Sequence, residues 1–270
     1  MKPIDCHTHL YDKSFEHDID KVLERAGRLV SKIIVVGEDA ESNRKVLALC
    51  KRYSSFLFPG LAIHPDRVHK LANEEIDKEI EFIRKQKGLA CIGECGLDWL
   101  KAEQFALASP SFKLLEPKGF DIMEARKKQI EVFRKFIKLA NEIGIPLNVH
   151  SRRAVRDTIR VLKEEKAKKV LMHGFDGTVK EAEEAVQLGY KLAIGTGVFY
   201  SRQKVELAKA LPINCFVLET DSPVCAPKRG ERNEPANIAS VVRKIASIKN
   251  ITRSEVINIT NKNAKELFSI

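Results

Sequence analysis

Nowhere in the 270 residues is there an apolar run of about 18, the length a membrane-crossing helix requires, so no membrane span is expected. The first residues, Met1-Lys2-Pro3-Ile4-Asp5, hold no apolar leader segment, and no signal peptide is expected. Cysteine is sparse: Cys6, Cys50, Cys91, Cys95, Cys215 and Cys225 are scattered without zinc-finger pairing. Most lie inside apolar runs, as small buried hydrophobes do, which makes a reduced, cytoplasmic setting the expectation. No glycine-rich dinucleotide fingerprint follows the first apolar run. Internal repeats and low-complexity linkers are also missing. Together these absences argue against membrane proteins, disulfide scaffolds, Rossmann-type nucleotide binders and solenoids.

What is present is ordinary in bulk. Hydrophobic residues make up 44% and charged residues 31%, as in a globular protein. The length suits one barrel-sized domain over residues 1–270. A formal charge of +10 is compatible with a polyanionic substrate. Lysines such as those of 127–138, however, read mainly as solvated helix faces.

Apolar or β-branched runs recur at Ile4–Cys6, Lys32–Val36, Phe56–Ile63, Ala90–Gly93, Pro146–Val149, Val170–Met172, Lys191–Ile194 and Cys215–Leu218. Helical periodicity lies between nearly all of them, at Asp18–Leu29, Glu41–Arg52, Asn73–Lys87, Glu124–Ile143, Val155–Lys166, Lys180–Leu188 and Gln203–Leu211. Pro235–Ile248 and Ser254–Phe268 add two closing helices, the last with a capping-box spacing at Thr252 and Glu255. Eight rounds of strand and helix predict an α/β fold, a (β/α)8 TIM barrel with parallel strands. One stretch breaks the rhythm. Trp99–Ile122, after the fourth strand, lacks sustained periodicity and reads as a long insertion on the rim.

The ends of these strands carry the chemistry. His7 and His9 stand two apart at the end of the first, where side chains share a face. Asp5, two residues earlier, is suited to accept the second ring N–H of a ligating histidine. The third run ends in His64, the fourth in Glu94 and Asp98, the fifth in His150 and Arg152, the sixth in His173, and the eighth in Glu219 and Asp221. A barrel gathers all these ends on one rim. Four of these histidines with two of the carboxylates, Glu94 and Asp221, are already too many for one tetrahedral zinc. They suit two divalent cations about 3.5–4 Å apart that share a carboxylate. Glu94 is placed to be that bridge, and Asp221 to hold a metal and take a proton from water. Zn, Mg and Mn all remain open for these mixed N/O donors. His17 and His69 fall in polar, helix-flanking segments and read as surface residues.

In these residues the chain resembles the TatD-type metal-dependent deoxyribonucleases, amidohydrolase-like barrels, over nearly its whole length. The motifs are Asp5-Cys-His-Thr-His-Leu10, Gly60-Leu-Ala-Ile-His-Pro65, Ile92-Gly-Glu-Cys-Gly-Leu-Asp98, Val149-His-Ser-Arg152, Met172-His-Gly-Phe175 and Leu218-Glu-Thr-Asp-Ser-Pro223, followed by Arg229-Gly-Glu-Arg-Asn-Glu-Pro235. The resemblance implies one metal on His7, His9, Glu94 and Asp221, and a second on Glu94, His150 and His173. It implies that His64 faces the scissile phosphate, and that Arg152 and Arg229 contact phosphate, as guanidinium chemistry suits. It further implies exonuclease-like hydrolysis of DNA phosphodiester bonds by water activated between two metals. No obligate protein partner is evident. Three rim segments depart from the family pattern: Gly174–Gly177, Gly195–Phe199 and the insertion. The same donors would also serve a carbonyl substrate such as an amide, a lactone or an aminoacyl-RNA ester. A non-catalytic nucleic-acid-binding barrel is the third reading, and the intact ligand set weighs against it.

Overall fold

The computed structural model describes residues 1–108 and 122–270. Its eight strands are β1 (Ile4–Thr8), β2 (Lys32–Val36), β3 (Leu57–Leu61), β4 (Cys91–Gly96), β5 (Leu147–His150), β6 (Val170–Met172), β7 (Lys191–Ile194) and β8 (Phe216–Leu218). They pair in sequential order, all parallel. β8 meets β1 just beyond its own end. There Thr8 bridges Ser222, the His9 N–H donates to the Ser222 carbonyl at 2.7 Å, and the Asp221 N–H donates to the His7 carbonyl at 3.0 Å. The predicted (β/α)8 barrel is the observed architecture.

The helices are α1 (Ile19–Leu29), α2 (Ala40–Arg52), α3 (Asn73–Arg84), α4 (Trp99–Ala108), α5 (Ile122–Ile143), α6 (Val155–Glu164), α7 (Val179–Gln187), α8 (Arg202–Ala210), α9 (Ile238–Lys249) and α10 (Arg253–Phe268). The capping box read at Thr252 and Glu255 starts α10. Alternation along the strands divides the core in two. Ile33, Val35, Leu147, Val149, Leu192 and Ile194 join the large cluster shared with the helices. Ile4, Cys6, Ile34, Val36, Cys91, Leu171, Ala193 and Val217 form a smaller one with Ala264, Leu267 and Phe268 of α10. That second cluster fills the barrel below the rim formed by the C-terminal ends of the strands.

Two strands are irregular where the site needs them. Pairing slips between Asp5 and Thr8 on β1 and between Ile92 and Cys95 on β4. Such irregularities re-aim a side chain that strict alternation would send elsewhere. His7 and Glu94 lie inside these two slips.

The structure corrects two expectations here. The stretch after β4 is not irregular throughout, because Trp99–Ala108 is helical. Asp98 starts this helix, accepting the Lys101 N–H at 2.9 Å, and buried Trp99 donates Nε1–H to Asp157 Oδ2 at 3.0 Å. The rest of the proposed insertion, 109–121, lies outside the described residues. His69 is not a surface residue: it is partly buried, with Nε2 3.1 Å from Gln129 Nε2 of α5. His17 is exposed, as expected.

Candidate metal centre

The rim brings His7, His9, His64, Glu94, His150, His173 and Asp221 together, and Glu94 is their hub. It is 2% exposed. Its Oε2 lies 3.3 Å from His7 Nε2 and 3.4 Å from His9 Nε2. Its Oε1 lies 2.6 Å from His150 Nδ1, 3.5 Å from His64 Nε2 and 3.8 Å from His173 Nε2. The two oxygens of one carboxylate thus serve two sets of imidazoles. Asp221 Oδ1 belongs to the first set, 3.7 Å from His7 Nε2 and 3.5 Å from His9 Nε2, and reaches His173 Nε2 at 3.9 Å.

A cation fits this cluster for a reason written in the hydrogen bonds. His7 and His9 turn their Nε2 atoms toward each other at 3.1 Å, a contact that a positive ion between lone pairs relieves. The outer nitrogens are held by acceptors, which leaves the inner ones free to ligate. Asn148 Nδ2 donates to the Cys6 carbonyl at 3.1 Å, so its Oδ1 accepts from His7 Nδ1 at 3.0 Å. Glu219 Oε2 accepts from His173 Nδ1 at 2.7 Å, and its Oε1 accepts the Gly174 N–H at 3.1 Å. Asp98 Oδ2 lies 3.1 Å from His150 Nε2, and Asp66 Oδ1 lies 2.8 Å from His64 Nδ1. Tyr11 Oη, 3.4 Å from His9 Nδ1, donates to Glu38 Oε2 at 2.9 Å.

The electrostatics agree with that geometry. Burial alone would push the Glu94 carboxyl up. The histidines around it, His64 and His7 first, outweigh burial and hold it well below the usual range. Asp221 is likewise drawn down to about 2 against burial, chiefly by His173. Burial opposes charge on His64, but Glu94 and Asp66 overcome it and push the ring up to about 10. Both acids therefore stand ionised, ready for divalent cations.

One proposed support is wrong. Asp5 does not reach a ligating ring. It accepts the Thr220 N–H at 2.9 Å and the Thr220 hydroxyl at 2.6 Å, on the seam between β1 and β8. Asn148 of β5 takes the role across the barrel, its Oδ1 against His7 Nδ1. The sequence placed Asp98 and Glu219 at strand ends but assigned no role to them or to Asn148. A signal existed for two of them: Glu219 stands two before Asp221, and Asn148 two before His150, so each pair shares a face.

Arg152, expected at a phosphate, is tethered: its Nε and Nη2 donate to Asp98 Oδ2 at 2.9 and 2.6 Å. Arg229 is exposed on the segment after β8. Beside the metal cluster opens a cavity of about 370 Å³, bounded by His150, Arg152, His173, Asp221, Tyr200 and Lys204. The departing segments Gly174–Gly177 and Gly195–Phe199 contribute Gly174, Asp176 and Gly195, Thr196, Gly197 to its wall.

Comparison with known proteins places this geometry among relatives. The model of the family described as TatD related DNase matches residues 4–269. The human protein "Deoxyribonuclease TATDN3" is 37% identical, over 98% of this chain and 94% of its own length. The "Uncharacterized metal-dependent hydrolase YabD" of Bacillus subtilis is 34% identical, over 98% of each chain. Among solved structures, the TatD homologue YJJV of Escherichia coli superposes with a TM-score of 0.85 at 27% identity, over 99% of this chain and 98% of its own.

Proposed function

Since the chain belongs to the TatD-related deoxyribonuclease family, we propose that it is a divalent-metal-dependent hydrolase that cleaves phosphodiester bonds of DNA at this rim. The observation that carries the reading is the division of Glu94. Oε2 faces His7 and His9, while Oε1 faces His64, His150 and His173. A carboxylate shared in this way suits a metal pair. His7, His9, Glu94 and Asp221 would hold one ion; Glu94, His150 and His173 would hold the other. When bound, the pair supplies Lewis acidity and a nucleophile at neutral pH.

The protein's own groups do the rest. Asp221, partly exposed to the cavity, takes the proton of the attacking water on a carboxylate oxygen. His64 faces the scissile phosphate from the Glu94 Oε1 side. Asp98 holds the Arg152 guanidinium by Nε and Nη2, which leaves Nη1 for a phosphate oxygen. Arg229 meets phosphate outside the cavity. The net charge of +10 assists encounter with a polyanion. No helix among the described residues is long and apolar enough to cross a membrane.

The test is incubation of the metal-loaded protein with labelled single-stranded DNA, RNA and an aminoacyl ester, with and without EDTA. Chelator-sensitive cleavage of DNA is expected. Turnover of the ester alone would assign the site to carbonyl chemistry, and binding of DNA without cleavage would make the barrel a binding module.

A further inference from the structure

The cavity holds a cation that the hydrolytic reading does not use. Lys204 lies in the first turn of α8, and its stem passes over Gly197, where an added Cβ would stand 3.3 Å from Lys204 Cγ. Its ammonium donates to the Gly174 carbonyl at 2.8 Å and to the Phe175 carbonyl. Those two carbonyls take two of its three protons. Among the described residues it makes no ion pair. Burial draws its pKa down, opposed by the charges of Glu219, then Asp176 and Asp221. A partly buried cation held directly by neutral carbonyls, with its nearby acids beyond ion-pair distance, can still take a direct anionic partner on the wall of the cavity, because buried charge is stable chiefly when paired.

Resting on the reading of the site as a phosphodiesterase, we propose that Lys204 binds a phosphate of the substrate adjacent to the one being cleaved. The metal cluster marks the scissile position. Lys204 is anchored on the two residues that follow His173, so it stands on the wall beside that cluster and not within it. Arg152, on the same cavity, is already paired with Asp98. The third N–H of Lys204 is therefore left for the cavity, where Asp176, Glu219 and Asp221 share the lining but none is within ion-pair distance of it among the described residues. Lysine serves here as a point charge, while its stem keeps its place over Gly197.

The experiment separates this claim from the activity itself. Calorimetry on the metal-loaded protein compares thymidine 3′,5′-bisphosphate with thymidine 5′-monophosphate, and needs no turnover. The parent should prefer the bisphosphate about tenfold or more, the worth of one charge-assisted hydrogen bond. Lys204→Met should abolish that preference and raise KM for an oligothymidylate by a similar factor. It should leave metal content, kcat and the cleavage of bis(p-nitrophenyl) phosphate, which has a single phosphorus, at parental values. Lys204→Arg should keep most of the preference. A parent without preference overturns the proposal even if Lys204→Met does not fold. So does a folded Lys204→Met that keeps the preference, or one that loses metal and both substrates alike, which would make Lys204 a brace for the His173 segment. Preference in a protein that cleaves no DNA would refute the nuclease reading and leave Lys204 as a phosphate ligand.

Discussion

Replacing Glu94 by Gln changes charge and hydrogen-bonding sense while keeping volume, so the cost is electrostatic. The side chain is buried and faces five imidazoles: His7, His9, His64, His150 and His173. A unit charge pair at 4 Å with an effective dielectric of 20 is worth about 4 kcal/mol, or roughly three decades of affinity. Glutamine also puts an NH2 group against ring nitrogens that need to present lone pairs. Metal affinity should therefore fall by about 10³ or more at the shared site. Loss of one transition-state donor costs about 10²–10³ in rate. A group that supports both ions should cost about 10⁴ or more, so Glu94→Gln should be clearly worse than His64→Ala. Steady-state DNA cleavage with metal analysis on the same samples measures both effects. Equal rate losses in the two variants, each with full metal, would refute the hub assignment.

Asp98→Asn should lower activity about 10–100-fold by releasing His150 and Arg152 together, as loss of an outer partner of a ligand does; kinetics and metal retention check it. Asp5→Ala removes the acceptor of a buried N–H and hydroxyl of Thr220 at the barrel seam, and should cost about 2–4 kcal/mol in denaturant unfolding of the metal-free protein. An unchanged midpoint would mean that the seam does not depend on Asp5. Burial lowers His69 from 6.5 to about 4. Because its folded pKa is depressed, the unfolded chain takes up the proton first, and stability is lost as pH falls from 6.5 toward 4. Between pH 7 and 5 this should amount to about 1–2 kcal/mol, and His69→Gln should flatten that part of the pH profile; a parallel profile would contradict the assignment.

The barrel was legible because its signal is local and repeated. Runs such as Lys32–Val36 and Lys191–Ile194 are strands with the same bounds in the structure. The gathering of the site was legible for a related reason: parallel strands collect their C-terminal ends on one rim, so topology brings His7, Glu94, His150 and Asp221 to the same end of the barrel, while the slips in β1 and β4 at His7 and Glu94 were not legible. What stayed hidden depends on contacts between distant parts of the chain. Asp5 was misassigned because its partner, Thr220, lies 215 residues on, at the seam where β8 meets β1. The helix at Trp99–Ala108 is anchored by Asp157, nearly sixty residues on, and His69 is covered by Gln129 from α5. Lys204 looks like any lysine of an amphipathic helix until the carbonyls of Gly174 and Phe175 are brought to it.

Metal stoichiometry tests the central claim most directly. Metal-free protein titrated with Zn, Mn or Mg, with bound metal counted by native mass spectrometry and DNA cleavage followed on the same samples, should reach full activity at about two ions per chain. Full activity at one ion per chain would contradict a centre in which Glu94 joins two.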